Sequence, residues 1–206
     1  MSIQSEEPIM HPRLLLLIFP VSLLISCDHP FTTRKPEPPV SSQSSWIPPH
    51  APEDVLENFV HAVQERNTEN YMRCFAEGTS GSPAFRFVPD PEASALYPHL
   101  LQWTSAQEEN MIRQTFSIVH EDSLLSVEFT EKIREIIAPD SVINIRNYQW
   151  QIHHDNPALP RTLEGQVEIR LSENTLGEWA IYTWIDHSIS DTPSFSIWKA
   201  SLGGIE

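Results

Sequence analysis

The chain has 206 residues, 28 of them acidic and 13 basic, for a formal net charge of −15. A surface that acidic repels a phosphate backbone, so nucleic acid is not an expected partner, and it offers no polybasic face to a membrane. The two cysteines, Cys27 and Cys74, allow at most one disulfide; if Cys27 is modified instead, Cys74 has no partner and the fold must rest on its core.

Leu14 to Ile25 form an apolar run broken only by Pro20 and Ser22. The run is short of the roughly 20 residues needed to span a bilayer, and it matches the apolar region of a secretory signal peptide. Arg13 and His11 supply a weakly basic lead, whereas Glu6 and Glu7 do not suit one. That contrast points to Met10 rather than Met1 as the start of translation. Leu24-Ile25-Ser26-Cys27 resembles the lipobox of bacterial lipoproteins. The resemblance implies cleavage after Ser26 and acylation of Cys27, which would anchor an exported protein to a bacterial membrane through its lipid. The alternatives are an ordinary signal peptide, or a buried hydrophobic helix with a chance cysteine. Residues 1–26 are thus expected as signal peptide; without them 26 acidic and 12 basic residues remain, a charge of −14.

Residues 27–50 are rich in proline and serine and cannot bury much apolar surface, so they read as an extended tether. Trp46-Ile47 near its end is expected to dock on the domain that follows, residues 51–206.

Pro52 suits the first turn of a helix, and Val55, Leu56, Phe59, Val60 and Val63 recur on one face through Arg66. Thr68 is placed to cap a short second helix carrying Tyr71, Met72 and Phe75, which Glu77-Gly78 ends. Ala84 to Val88 reads as a short strand closed by Pro89-Asp90-Pro91. Ser105-Ala106-Gln107-Glu108 has the pattern of a capping box opening a third helix, with Met111, Ile112 and Phe116 inward. From Leu125 the period changes to two. Strands are expected around Leu125, Val127 and Phe129, over Val142 to His154, and through Leu163, Val167, Ile169 and Leu171. The turn Asn174-Thr175-Leu176-Gly177 should lead into a strand over Glu178 to Asp186, and Phe195 to Leu202 into an edge strand. Helices first and antiparallel strands second predict an α+β fold, helices packed on a curved sheet.

Pro52 to Arg66, Asn70 to Phe75 and Gly177 to Asp186, in that order, resemble the nuclear transport factor 2-like superfamily, whose cone-shaped fold is shared with ketosteroid isomerase. The resemblance implies a pocket between the concave sheet and the first helices. It also implies sheet-face pairing into a homodimer, and either a catalytic or a binding role, because this fold hosts both.

Asp186 with His187 could act as an acid/base pair at a pocket mouth; the alternative is a strand ending in solvated polar residues. Tyr148, Trp150, Trp179, Tyr182 and Trp184 could line a pocket for a small apolar ligand, or form core. His153-His154-Asp155 puts neighbouring histidines on opposite faces of a strand, so no metal is expected, and no glycine-rich loop suggests a nucleotide or other cofactor. Cys74 reads as a buried, inert thiol. The residues therefore favour a non-catalytic envelope lipoprotein binding a ligand or an envelope protein partner. An isomerase- or dehydratase-type enzyme is the second reading, and a structural accessory of an envelope complex the third.

Overall fold

The structure, a computed structural model, describes residues 44–78 and 83–203. The expected signal peptide, the lipidated Cys27, most of the tether and the Thr79–Ser82 part of the loop lie outside the described residues. Residues 44–50 lie against the domain, with Trp46-Ile47 docking as expected. The side chain of Asn58 acts as a strand partner for Ile47, accepting from its N–H at 2.8 Å and donating to its carbonyl at 2.6 Å. The guanidinium of Arg73 lies 3.9 Å from the ring centre of Trp46.

Helix α1 spans Pro52–Gln64, with Pro52 in its first turn and the Asp54 carboxylate accepting from the Ala51 N–H. Its buried stripe is Val55, Leu56, Phe59, Ala62 and Val63. Just past its C-cap Glu65, Arg66 is a left-handed residue at φ 54° where glycine would be at less cost. Arg66 compensates through its guanidinium, which donates to the carbonyls of His120, Glu121 and Ser123 at 2.7–2.9 Å. Helix α2, Thr68–Arg73, is capped by Asn67 rather than Thr68, its side-chain oxygen accepting from the Asn70 N–H.

Strand β1 is limited to Arg86–Val88. Asp90 then caps α3 (Pro91–Leu96), and a 3₁₀ turn follows over Pro98–Gln102. Neither short helix is apparent from periodicity, which needs more than six residues to register; the Asp90-Pro91 pair, read as a strand-closing turn, is an N-cap followed by a first-turn proline. Helix α4 (Ser105–Ile118) has its capping box one residue earlier than the pattern suggested, on Thr104 and Gln107. That shift leaves Glu108 free to point inward.

Four long strands follow: β2 Leu125–Ile137, β3 Ser141–Ile152, β4 Thr162–Glu173 and β5 Trp179–His187. The sheet order is β1-β5-β4-β3-β2, antiparallel except for β1 beside β5. Inward residues Tyr148, Trp150 and Ile152 on β3, and Leu163, Val167, Ile169 and Leu171 on β4, are buried, as period two predicts. The α+β reading holds, with helices packed on a curved sheet.

The last element differs from expectation. Phe195 to Leu202 forms no edge strand; Phe195–Gly203 is helix α5. Phe195, Trp198 and Leu202 are separated by three and four residues, which is helical spacing, and all three are buried.

Candidate functional site

The inside of the cone, where a pocket was expected, is occupied by α5. Phe195 stacks on Trp150 at 4.9 Å and lies 5.6 Å from Trp184. Phe59 closes on Trp184 from α1 at 5.3 Å. Trp198 lies against the His154 ring and donates from its indole N–H to Thr115 Oγ1 at 2.9 Å. Tyr148, Trp150 and Trp184 are therefore core residues, 2 % exposed or less. Trp179 and Tyr182 are half-buried, Trp179 packing against the edge of the core, so the five aromatics do not line one pocket. Trp179 instead shares a shallow surface groove of about 290 Å³ with Trp46, Arg73, Glu77 and Glu178.

Asp186 is fully buried rather than at a pocket mouth. Its Oδ1 accepts from the Tyr148 hydroxyl at 2.7 Å, and its Oδ2 accepts from the Ser196 N–H at 2.7 Å and hydroxyl at 2.5 Å. The Tyr148 oxygen in turn accepts from the Phe195 N–H at 2.8 Å. Two orphan donors of the first turn of α5 are thus satisfied by one carboxylate and one phenol. Gly165 makes this possible, because a Cβ there would meet the Tyr148 oxygen at 2.3 Å. Burial raises the pKa of Asp186 despite these donors. His187, next along the strand, pairs across to Gln166 on the outer face; the two residues do not face each other, and the acid/base pair expected of them does not form.

A second buried carboxylate, Asp90, accepts from the Ala93 N–H at 2.9 Å and the Ser194 hydroxyl at 2.5 Å. Its own N–H donates to Ser196 Oγ at 3.0 Å, so Ser196 joins the two carboxylate-bearing segments.

The third interior group is the one sequence reasoning missed. Glu108 is fully buried on α4. Its Oε1 accepts from the Tyr71 hydroxyl at 2.7 Å, and its Oε2 accepts from the Trp103 indole N–H at 2.6 Å and from the ammonium of Lys199. Lys199 is 1 % exposed, and burial holds its pKa below the usual lysine value against the pull of Glu108. A glutamate one turn into a helix on a stripe with Met111 and Ile112 was the available signal, and the capping-box pattern masked it.

Elsewhere, His154 is buried with Nε2 3.1 Å from the Pro160 carbonyl, while exposed Asp155 pairs with His120 at 2.8 Å. Among the described residues no group of three His, Cys, Asp or Glu side chains is arranged to hold a metal ion. Cys74 is buried, its thiol 3.3 Å from the Asn70 carbonyl, and burial pushes its pKa up.

The outer face of the sheet is different in character. Cross-strand register places Ile136, Ile143, Arg170 and Thr183 in one row, and Arg134, Ile145, Glu168 and Ile185 in the next. Farther along, the rows become polar: Asn147, Gln166 and His187, then Glu128, Gln149 and Glu164. Four isoleucines therefore share one end of this face with charges of both signs.

No protein-family model matches the sequence, and no curated protein is significantly similar to it. Solved structures do match. A nuclear transport factor 2-like superfamily protein from Salmonella enterica superposes with a TM-score of 0.51 at 9% identity, over 68% of this chain and 89% of that one. A conserved protein from Planctomyces limnophilus gives 0.50 at 11% identity, over 65% and 89%. A nuclear transport factor 2-like protein of unknown function from Shewanella oneidensis gives 0.41 at 10% identity, over 66% and 95%. The chain has the nuclear transport factor 2-like fold.

Proposed function

We propose that this chain is a non-catalytic docking domain, exported and held at a bacterial membrane by lipid on Cys27, that pairs with a second copy of itself through the outer face of its sheet. The observation that carries the reading is the occupied cone. Wherever this fold encloses a pocket, a reacting group needs a cavity beside it; here Asp186 is consumed in capping α5 and Glu108 in holding Lys199. Without room for a substrate, these carboxylates stabilise structure.

What remains for function is surface. The four isoleucines are flanked by Arg134 and by Glu168 and Arg170, which pair with each other at 2.7 Å within the chain, so the face is apolar with its glutamate already neutralised, which suits burial against an identical face across a two-fold axis. The anchor rests on the lipobox pattern at Leu24 to Cys27 and on a serine- and proline-rich tether long enough to hold the domain clear of the bilayer.

Two measurements test this. Cys27→Ser should move the protein from the membrane to the soluble fraction and abolish acyl labelling; retention with label contradicts the anchor. A photo-crosslinking residue at position 145 should join two copies of the chain, whereas one at Leu101, exposed on the 3₁₀ turn, should not.

A further inference from the structure

Lys199 has one hydrogen-bond acceptor among the described residues, Glu108, and three aromatic faces around its nitrogen. Nζ lies 4.3 Å from the ring centre of Phe195, 4.6 Å from Phe87 and 5.2 Å from Trp103. These are cation–π distances, and the rings lie in a region closed to water, where such contacts are strongest. The carboxylate itself is held from two sides by Tyr71 and Trp103, which fix its orientation independently of the lysine. A preset carboxylate ringed by aromatic faces is the chemistry that selects a compact cation.

We propose that Glu108, Tyr71, Trp103 and Phe87 form a binding cage for a primary alkylammonium, and that Lys199 is its built-in occupant. The inference goes beyond the docking role and does not depend on it. The cage walls come from α2, the residue following the 3₁₀ turn, α4 and β1, whereas the occupant comes from α5. The third ring facing the nitrogen, Phe195, arrives with the occupant on α5. The cage suits an ammonium better than a guanidinium, because one carboxylate oxygen and ring faces serve a compact cation, whereas a planar fork needs paired acceptors.

An ordinary buried ion pair behaves differently from such a cage. Buried pairs are often replaceable by apolar side chains of equal volume at no loss, whereas a cage built around a cation is not. The test uses the full chain. Lys199→Ala removes Cγ, Cδ, Cε and Nζ, the atoms of n-propylammonium, and should lower the melting midpoint by roughly 10 °C. Millimolar n-propylammonium should then restore at least half of the loss in a saturable manner, n-propanol should not, and the wild type should respond to neither. If Lys199→Ala does not fold, its refolding yield should recover with n-propylammonium and not with n-propanol. Equal rescue by the two compounds, or rescue by neither, overturns the proposal. Glu108→Gln with Lys199→Met supplies the second arm: it removes both charges while keeping an acceptor for Tyr71 and Trp103 and filling the space, and it should stay less stable than the wild type with no response to the amine. A doubly substituted chain as stable as the wild type means that the site is an ordinary ion pair and does not select a cation.

Discussion

Tyr148 shows how one hydroxyl serves two elements. It donates to Asp186 and accepts from the Phe195 N–H, so Tyr148→Phe leaves a buried carboxylate oxygen and a helix N–H each short of a partner. The expected cost is about 1–3 kcal/mol, read from denaturant unfolding with an unchanged slope. Asp186 adds a pH signature. Its pKa in the fold is raised above the ordinary 3.8, so the folded chain keeps a proton that the unfolded chain releases. The stability this contributes is complete below about pH 3.8 and is lost as pH rises through the folded value. The wild-type stability minus that of Asp186→Asn should therefore fall on going upward from about pH 4, and a flat difference contradicts the assignment. Cys74, buried with a raised pKa, should react with a thiol reagent only after denaturation, as mapped by mass. Its burial was legible in the sequence, from its place between Met72 and Phe75. Glu108 was not, because a glutamate three residues after a serine satisfies a capping pattern equally well, and only the one-residue shift to Thr104 decides between the two.

At the scale of elements, α5 is where sequence and structure part most. Phe195, Ile197, Trp198 and Leu202 can be read on either period, and no turn signal separates helix from strand after Pro193. The decision comes from tertiary partners: Tyr148 and Asp186 satisfy the first N–H groups of a helix, and the cone accepts Phe195 and Trp198 only at helical spacing. The four long strands were read correctly because alternation over a dozen residues is hard to mistake, as in Leu163 to Leu171. The helix also carries a stability prediction. Trp198→Ala removes a fully buried indole and its bond to Thr115, so it should cost about 3–5 kcal/mol in denaturant unfolding. A loss below 1 kcal/mol means that α5 packs loosely.

At the scale of the molecule, the fold was legible in the order of helices and strands, but the state of the cone was not. An open and a filled cone share the same inward-facing residues on β3, β4 and β5; what differs is the final helix, the element whose period was ambiguous. With the interior occupied, the proposed pairing falls to the outer sheet face at Ile136, Ile143, Ile145 and Ile185. Sedimentation velocity of the detergent-solubilised full chain tests this most directly. The wild type should sediment as a dimer at micromolar concentration, and Ile143→Glu with Ile145→Glu should sediment as a monomer with an unchanged circular dichroism spectrum. A wild type that is monomeric at tens of micromolar, or a dimer indifferent to both substitutions, contradicts it.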